Sequence, residues 1–281
     1  MTRPRVFVLT LFAMLAFAGN SLLCRLALRD TGIDPASFTL VRIVSGALAL
    51  SLLLRLRPGP STGGGNWPSA LALFAYAGGF SFAYVSMPAG TGALLLFGAV
   101  QASMIGYGLW RGERMGAVRS AGLVCAMAGL VALCLPGAGA APWSGSLLML
   151  GAGVAWGVYS LRGRAAQDPI GATAGNFLRA TCLAGALSLA FLGSWHWDAR
   201  GVALAVASGA LTSGLGYAVW YTALRGLNAT TAATVQLSVP VIAAAAGIVL
   251  LDEALSLSLV LSSGAILGGI AVVLFTRPKA R

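Results

Sequence analysis

The sequence predicts an all-α integral membrane protein of ten transmembrane helices, formed by two inverted five-helix repeats around a central cavity. Composition gives the class, because 58% of the 281 residues are hydrophobic and 9% are charged. A soluble domain carries roughly 25% charged residues. The positions of the basic residues and an internal repeat give the arrangement. Lipid offers no hydrogen-bonding partners, so each segment that crosses it must form a helix.

Ten apolar segments are long enough to cross a bilayer, which takes roughly 20 helical residues. Turn signals such as Pro58, Pro88 and Pro169 separate them. The connecting loops are short, so no soluble domain is predicted on either side. The predicted spans are 6–28, 37–56, 66–86, 90–110, 116–135, 143–164, 173–194, 199–223, 229–250 and 256–276.

The basic residues favour one set of loops. With the N-terminus inside, thirteen of them fall on the cytoplasmic side and three, Arg25, Arg29 and Arg200, fall on the other. Cytoplasmic loops collect Lys and Arg, so both termini are predicted to be cytoplasmic in a bacterial inner membrane. Arg3 and Arg5 precede an apolar run as in a signal peptide, but this run aligns with a later helix and is not expected to be cleaved.

The same residues argue against several other classes of protein. The net charge is +11, but the basic residues lie between apolar runs and form no continuous patch, so no nucleic-acid partner is expected. His196 is flanked by Trp195 and Trp197, which is typical of an interfacial belt and not of a metal or catalytic site. The four cysteines form no CxxC pair and there is no Walker motif, so neither a cofactor nor ATP hydrolysis is predicted.

An offset of 137 residues aligns the two halves of the chain, residues 1–137 and 138–281. It pairs Arg25 with Arg162, Arg42 with Arg179, and Tyr84 with Tyr221. Three more inserted residues pair Glu113 with Glu253. Each half has an odd number of spans, so the second half is predicted to be inverted in the membrane. Inverted repeats are typical of secondary transporters, whose substrate site lies near the midplane between the halves.

Short motifs in a fixed order carry a resemblance to a known family. The chain resembles the drug/metabolite transporter superfamily, specifically its EamA-type members, and within them the YddG-type amino-acid exporters of bacterial inner membranes. The resemblance implies a ten-helix exporter with a central cavity, while cargoes vary within the family. The matching segments are Ala18-Gly19-Asn20 followed by Arg25, Leu40-Val41-Arg42, Gly112-Glu113-Arg114, Ala155-Trp156-Gly157, Phe177-Leu178-Arg179 and Leu251-Asp252-Glu253.

Polar and aromatic side chains at mid-membrane depth are the predicted substrate-binding residues. An amide that faced lipid would be costly, so the amides are expected to face a cavity or, alternatively, to form interhelical hydrogen bonds. Tyr76 and Trp156 are too central for an interfacial belt and are predicted to line the cavity wall. The predicted substrate-binding residues are Asn20, Tyr76, Gln101, Trp156, Tyr159 and Gln236.

Two aromatic stripes at helical spacing are predicted to gate this cavity. Phe80 and Tyr84 lie toward the outer end, and Tyr217, Trp220 and Tyr221 lie toward the inner end. The offset makes the two stripes equivalent. For Tyr84 and Tyr221, the alternative is a place in an interfacial belt.

Arg42 and Arg179 are the two basic residues inside predicted spans. Long side chains can reach the nearest interface from such positions, or they can form a structural ion pair. The functional alternative is that they attract a carboxylate of the cargo or change partners between conformational states.

No Asp or Glu lies at the centre of a predicted span. This favours a facilitator over a proton-driven exporter, with Glu113 as the alternative proton carrier.

The predicted cargo is an amino acid, including large neutral ones, and the alternative is an amphipathic drug or another small metabolite. An intramembrane enzyme is disfavoured because the paired catalytic groups it would need are missing at depth. Besides its cargo, only the lipid bilayer is a predicted partner, and whether the protein is a monomer or a homodimer stays open.

Overall fold

The computed structural model describes residues 3–57, 64–112, 115–135, 142–163, 166–227, 232 and 235–276. Glu113 and Arg114 of the predicted motif, and the boundary between the predicted repeats, lie outside these residues. The described part is 86% helical and contains no strand. Its helices are α1 (Arg3–Asp30), α2 (Pro35–Leu56), α3 (Trp67–Tyr84), α4 (Ala89–Trp110), α5 (Ala117–Cys134), α6 (Trp143–Gly163), α7 (Pro169–Ala190), α8 (Ala199–Leu224), α9 (Ser238–Leu251) and α10 (Leu257–Phe275).

Seven helices in the described ranges are long and apolar enough to cross a membrane: α1, α2, α4, α5, α6, α8 and α10. The protein is therefore a multi-pass membrane protein, as the composition predicts. Helix α9 is apolar but shorter, and α3 and α7 coincide with two other predicted spans. The full set of ten spans and their inverted arrangement stay predictions.

Three of the few acidic residues begin helices. Asp34 accepts hydrogen bonds from the amides of Ala36 and Ser37 at the start of α2. Asp168 accepts from the amide of Gly171 in α7, and Asp198 accepts from Gly201 in α8. A carboxylate at this position satisfies amides that have no partner within the helix. These acids therefore lie at helix ends, as the sequence predicts.

The packing pairs helices of the two predicted repeats. Helix α2 packs on α7, α4 on α9 and α5 on α10, while α1 packs on α8 and α3 on α6. Small residues permit the closest approaches: a Cβ atom at Gly122 would lie 2.7 Å from the carbonyl oxygen of Gly269. Three of these contacts, α2 with α7, α4 with α9 and α5 with α10, join helices that the 137-residue offset makes equivalent.

The middle of α8 is irregular. Residues Ala207–Leu215 form a π-helical stretch, and such bulges are frequent at functional sites. A side chain at Gly209 would collide with the carbonyl oxygen of Arg42, so the stretch lies directly against α2. It thereby brings Ser208, Thr212 and Ser213 to the centre of the bundle.

Candidate functional site

A cavity of about 300 Å³ lies between α4, α6, α8 and the start of α9. Its lining runs from Trp156, in the middle of α6, to Gly163 at the end of that helix and to Arg225 just after α8. It therefore reaches the surface at the end of the bundle where α6 and α8 finish, which we call the open end. The opposite end, where α1 and α3 finish, is called the closed end.

Trp156 lies at the base of this cavity within a cluster of aromatic rings. The centroid of its ring lies 4.8 Å from that of Tyr76, 4.9 Å from that of Tyr217 and 5.5 Å from that of Tyr159. Phe17 packs edge-on at 6.2 Å. Trp156 and Tyr217 also line a second, deeper cavity of about 10 Å³, a volume sufficient for about one water molecule. The two rings thus separate the open cavity from the centre of the bundle.

A polar network lies beyond these rings. The side-chain amide of Asn20 donates to the hydroxyl of Tyr76 at 3.2 Å, and its carbonyl oxygen accepts from the hydroxyl of Ser208 at 2.7 Å. The guanidinium of Arg42 donates to the same Tyr76 hydroxyl at 3.0 Å and to the hydroxyl of Ser213 at 3.3 Å. The network therefore ties α1, α2, α3 and the π-helical stretch of α8 together.

The closed end is held by a group that we call the closed-end clamp: Arg25, Tyr84, Ala89 and Glu253. Arg25 forms an ion pair with Glu253 at 3.4 Å and donates to the carbonyl oxygen of Tyr84 at 3.0 Å. Both carboxylate oxygens of Glu253 accept from the amide of Ala89, at 2.9 and 2.8 Å, and the hydroxyl of Tyr84 donates to the carbonyl oxygen of Ala89 at 3.2 Å. The clamp thereby joins α1, α3, α4 and the turn before α10.

The structure brings most of the predicted site residues together. Asn20, Tyr76 and Phe80 line the deeper cavity. Four others line the open cavity: Tyr217, Trp220, Tyr221 and Gln236.

Gln101, Tyr159 and Tyr84 lie elsewhere. Gln101 is 2% exposed and lines neither cavity. Tyr159 stacks on Trp156 from outside both cavities and accepts from the side chain of Asn176 at 3.5 Å. Tyr84 belongs to the closed-end clamp. Tyr84 and Tyr221 are 0% and 9% exposed, so both side chains pack inside the bundle. This argues against the alternative that they belong to an interfacial belt.

Several residues of the site were not predicted from the sequence. Phe17 lies three residues before Asn20, so helical spacing could have placed it on the same face of α1. Ser213 is offset from Tyr76 by the same 137 residues that align the halves, which was an unused signal. Arg25 and Glu253 belong to two separate repeat pairs, with Arg162 and Glu113. Nothing in the sequence predicts that Arg25 and Glu253, which are 228 residues apart, meet.

Among the described residues, no group of three or more His, Cys, Asp or Glu side chains could hold a metal ion. The open cavity is lined by aromatic rings, hydroxyls, the two amides of Gln167 and Gln236, and Arg225. Such a surface can hold a small amphipathic molecule by stacking and hydrogen bonding.

Comparisons with known proteins agree with this architecture. Residues 143–275 match the EamA-like transporter family. The chain is 57% identical over 274 residues to uncharacterized protein PA1977 of Pseudomonas aeruginosa, covering 97% of this chain and 96% of that protein. It is 34% identical over 129 residues to the threonine/homoserine exporter RhtA of Escherichia coli K12, covering 44% of this chain and 43% of RhtA. A solved crystal structure shares the fold, with a TM-score of 0.69 at 22% identity over 97% of this chain and 98% of that one.

Proposed function

The chain belongs to the EamA-like transporter family, within the drug/metabolite transporter superfamily, and from this premise we propose that it exports neutral amino acids across the bacterial inner membrane by alternating access. The EamA-type resemblance of the sequence is thus confirmed, whereas the narrower likeness to YddG-type exporters is part of the proposal. One observation carries it: a cavity lined by aromatic rings opens at one end of the bundle, and an ion pair joins the helices at the other end.

The kind of cargo is supported by a relative and by the cavity. RhtA, named for the export of threonine and homoserine, aligns with part of this chain, and both of its named cargoes are amino acids. Ligand sites commonly occupy roughly 300–1,000 Å³, so the open cavity of about 300 Å³ suits one small molecule. The rings of Trp156 and Tyr217 would stack on an apolar or aromatic side chain. The proposed cargo class is therefore neutral amino acids, aromatic ones included.

The two ends of the bundle support alternating access. Phe80 and Tyr84 are fully buried at the closed end, above the base of the cavity, and act in the proposal as the outer gate. Tyr217, Trp220 and Tyr221 line the open cavity and act as the inner gate. With both termini in the cytoplasm, the open end faces the cytoplasm, so cargo enters there. Release on the other side then requires the closed-end clamp to separate.

Facilitated export is the proposed mode. Among the residues that the structure describes, those that line the two cavities include no Asp or Glu, so we place no proton-carrying group beside the cargo. Glu253 is held in the closed-end clamp, and Glu113, the alternative proton carrier, lies outside the described residues. The cargo gradient alone would then drive transport.

The first test is uptake of labelled tryptophan, methionine and threonine into liposomes that contain the pure protein. Trp156→Ala removes the ring that packs on Tyr76 and Tyr217. We expect the transport rate to fall at least about tenfold, equivalent to about 1.4 kcal/mol of binding. Trp110→Ala is the matched control, because Trp110 is 80% exposed at the surface of the bundle, and it should transport as the unmodified protein does.

Three results would count against the proposal. Absence of saturable uptake for all three amino acids would exclude this cargo class and favour amphipathic drugs or other metabolites. Equal activity of Trp156→Ala and Trp110→Ala would exclude the central cavity as the route. Accumulation against a gradient when a pH difference is imposed would replace facilitation by proton coupling.

A further inference from the structure

Arg42 has an unusual environment for a charged residue. Among the described residues, its side chain is the largest that is fully buried, and it is 1% exposed. Its guanidinium lies over the rings of Tyr76 and Phe80, 5.1 and 4.9 Å from their centroids. Its hydrogen bonds go to two neutral hydroxyls, those of Tyr76 and Ser213. The positive charge is thus surrounded by uncharged groups in the middle of the membrane protein.

The hydrogen bonding of this guanidinium is incomplete. Atom Nη1 is buried and has no hydrogen-bonding partner among the described residues. The ion pairs formed within the described ranges are Arg25–Glu253, Arg29–Asp30 and Arg57–Asp168, none of which involves Arg42. A buried charge without an opposite charge is costly. Such an arrangement is expected where a ligand completes it.

Arg179, the repeat partner of Arg42, is satisfied by the protein itself. It is only partly buried, and its Nη1 donates to the carbonyl oxygens of Gly64 and Gly175 at 3.0 and 2.9 Å. Its side chain thus reaches toward the open end and binds backbone there, as expected for a long side chain near an interface. The sequence treats the two arginines as equivalents, but only Arg42 keeps an unused donor inside the bundle.

The groups around Arg42 offer donors and lack a negative acceptor. The hydroxyls of Tyr217 and Ser21 line the deeper cavity and form no hydrogen bond of good geometry among the described residues, and Tyr217 lies within electrostatic range of the guanidinium. The carbonyl oxygen of Asn20 already accepts from Ser208 and Thr212. A carboxylate accepts hydrogen bonds only, carries the missing charge, and matches the two-pronged geometry of a guanidinium.

We propose that Arg42 is the receptor for the carboxylate of the cargo. The assignment rests on the proposed function, because it says where one end of a transported amino acid binds. Cargo would first occupy the open cavity, and its carboxylate would then pass between the rings of Trp156 and Tyr217. Arg42 lines neither cavity but contacts Tyr76 and Phe80, which line the deeper one. That cavity holds only about 10 Å³, so the rings must move to admit the carboxylate. The carboxylate then takes the free Nη1.

The test compares three indole compounds that differ in their charged groups: tryptophan, tryptamine, which lacks the carboxylate, and 3-indolepropionate, which lacks the amine. Binding to the purified protein in lipid nanodiscs is measured by calorimetry. We expect the two carboxylates to bind at least about tenfold more tightly than tryptamine. Arg42→Gln should abolish this preference, and Arg42→Lys should restore part of it, because a lysine keeps the charge without the paired donors. Arg200→Gln, at an exposed position, should keep the preference.

Thermal unfolding distinguishes the receptor role of Arg42 from a structural role. If Arg42 serves as the receptor, the thermal unfolding temperature of Arg42→Gln should equal or exceed that of the unmodified protein, since the substitution removes an uncompensated buried charge. If neither Arg42→Gln nor Arg42→Lys yields folded protein, the arginine is a structural residue and the inference is overturned.

The outcomes separate this inference from the proposed function. If tryptophan fails to bind while 3-indolepropionate binds in an Arg42-dependent way, the carboxylate receptor stands and the amino-acid cargo falls. If tryptophan is bound and transported and folded Arg42→Gln keeps the preference for carboxylates, the receptor falls and the proposed function stands. If neither carboxylate binds the unmodified protein, the inference is overturned.

Discussion

The two ends of the bundle carry equivalent residues with different partners. At the closed end, Arg25 pairs with Glu253 and binds the last carbonyl groups of α3. At the open end, its repeat partner Arg162 donates to the hydroxyl of Ser69 at 2.8 Å and to the side chain of Asn66 at 3.0 Å, at the start of α3.

The repeat-equivalent arginines therefore differ: Arg25 forms an ion pair at the closed end, whereas Arg162 makes only neutral contacts at the open end, where a separate ion pair joins Arg57 to Asp168. In the alternating access proposed above, similar residues in two settings would let the ends exchange roles at a small cost in free energy.

Breaking the ion pair should have the largest effect on this difference. Glu253→Gln removes the charge opposite Arg25, and loss of one partner from a buried pair is strongly destabilising. Cys24, which precedes Arg25 and is 0% exposed, is a natural reporter once the other three cysteines are replaced by serine. We expect Glu253→Gln to raise its labelling by a membrane-impermeant maleimide at least about tenfold, equivalent to about 1.4 kcal/mol.

The adjacent acid provides the control for this prediction. Asp252 is exposed and has a left-handed backbone conformation, with φ 51°, which asparagine tolerates. Asp252→Asn should therefore leave the labelling of Cys24 unchanged. Equal labelling in the two variants would show that the ion pair does not hold the closed end.

Removing one neutral hydrogen bond from the same clamp should have a smaller effect. Tyr84→Phe keeps the buried ring and deletes the bond to the carbonyl oxygen of Ala89. A net contribution of about 0.5–1.5 kcal/mol predicts an about two- to tenfold rise in the labelling of Cys24. Tyr107→Phe, at a position 43% exposed, is the matched control. A Tyr84→Phe variant that labels no faster than this control would remove Tyr84 from the gate.

The smallest effect is expected from the open end. Arg162→Gln loses the bonds to Ser69 and Asn66, but these contacts lie far along the bundle from Cys24. The labelling of Cys24 should change less than about twofold, which is under about 0.4 kcal/mol. A change in Cys24 labelling as large as that of Glu253→Gln would mean that the two ends are already coupled in this conformation. The two ends would then not be held independently.

Much of the architecture could be predicted from the sequence, because hydropathy and helical spacing are local properties. Each long apolar run must form its own helix in lipid, and the offset that pairs rare charges, such as Arg42 with Arg179, indicates two related halves. Depth within a span also placed Asn20, Tyr76 and Trp156 near one another. These three residues do meet at the base of the open cavity.

The rest depended on which helices pack together. Gln101 has the same depth and polarity as Asn20, but it lines neither cavity, because depth does not specify the direction in which a side chain points. The π-helical stretch of α8 turns Ser208, Thr212 and Ser213 toward Asn20 and Arg42, and no local pattern predicted it. The closed-end clamp likewise joins residues that are distant along the chain.

The sequence by itself determined the membrane class and most of the helical segments, and it predicts two related halves. The tertiary structure alone decided which end is sealed, which arginine keeps a free donor, and which aromatic rings enclose the cavity. The physical reason is that hydrophobicity acts on each segment separately, whereas close packing acts between segments. Two residues at equivalent positions, such as Arg42 and Arg179, can therefore face different neighbours, and only the packed structure distinguishes them.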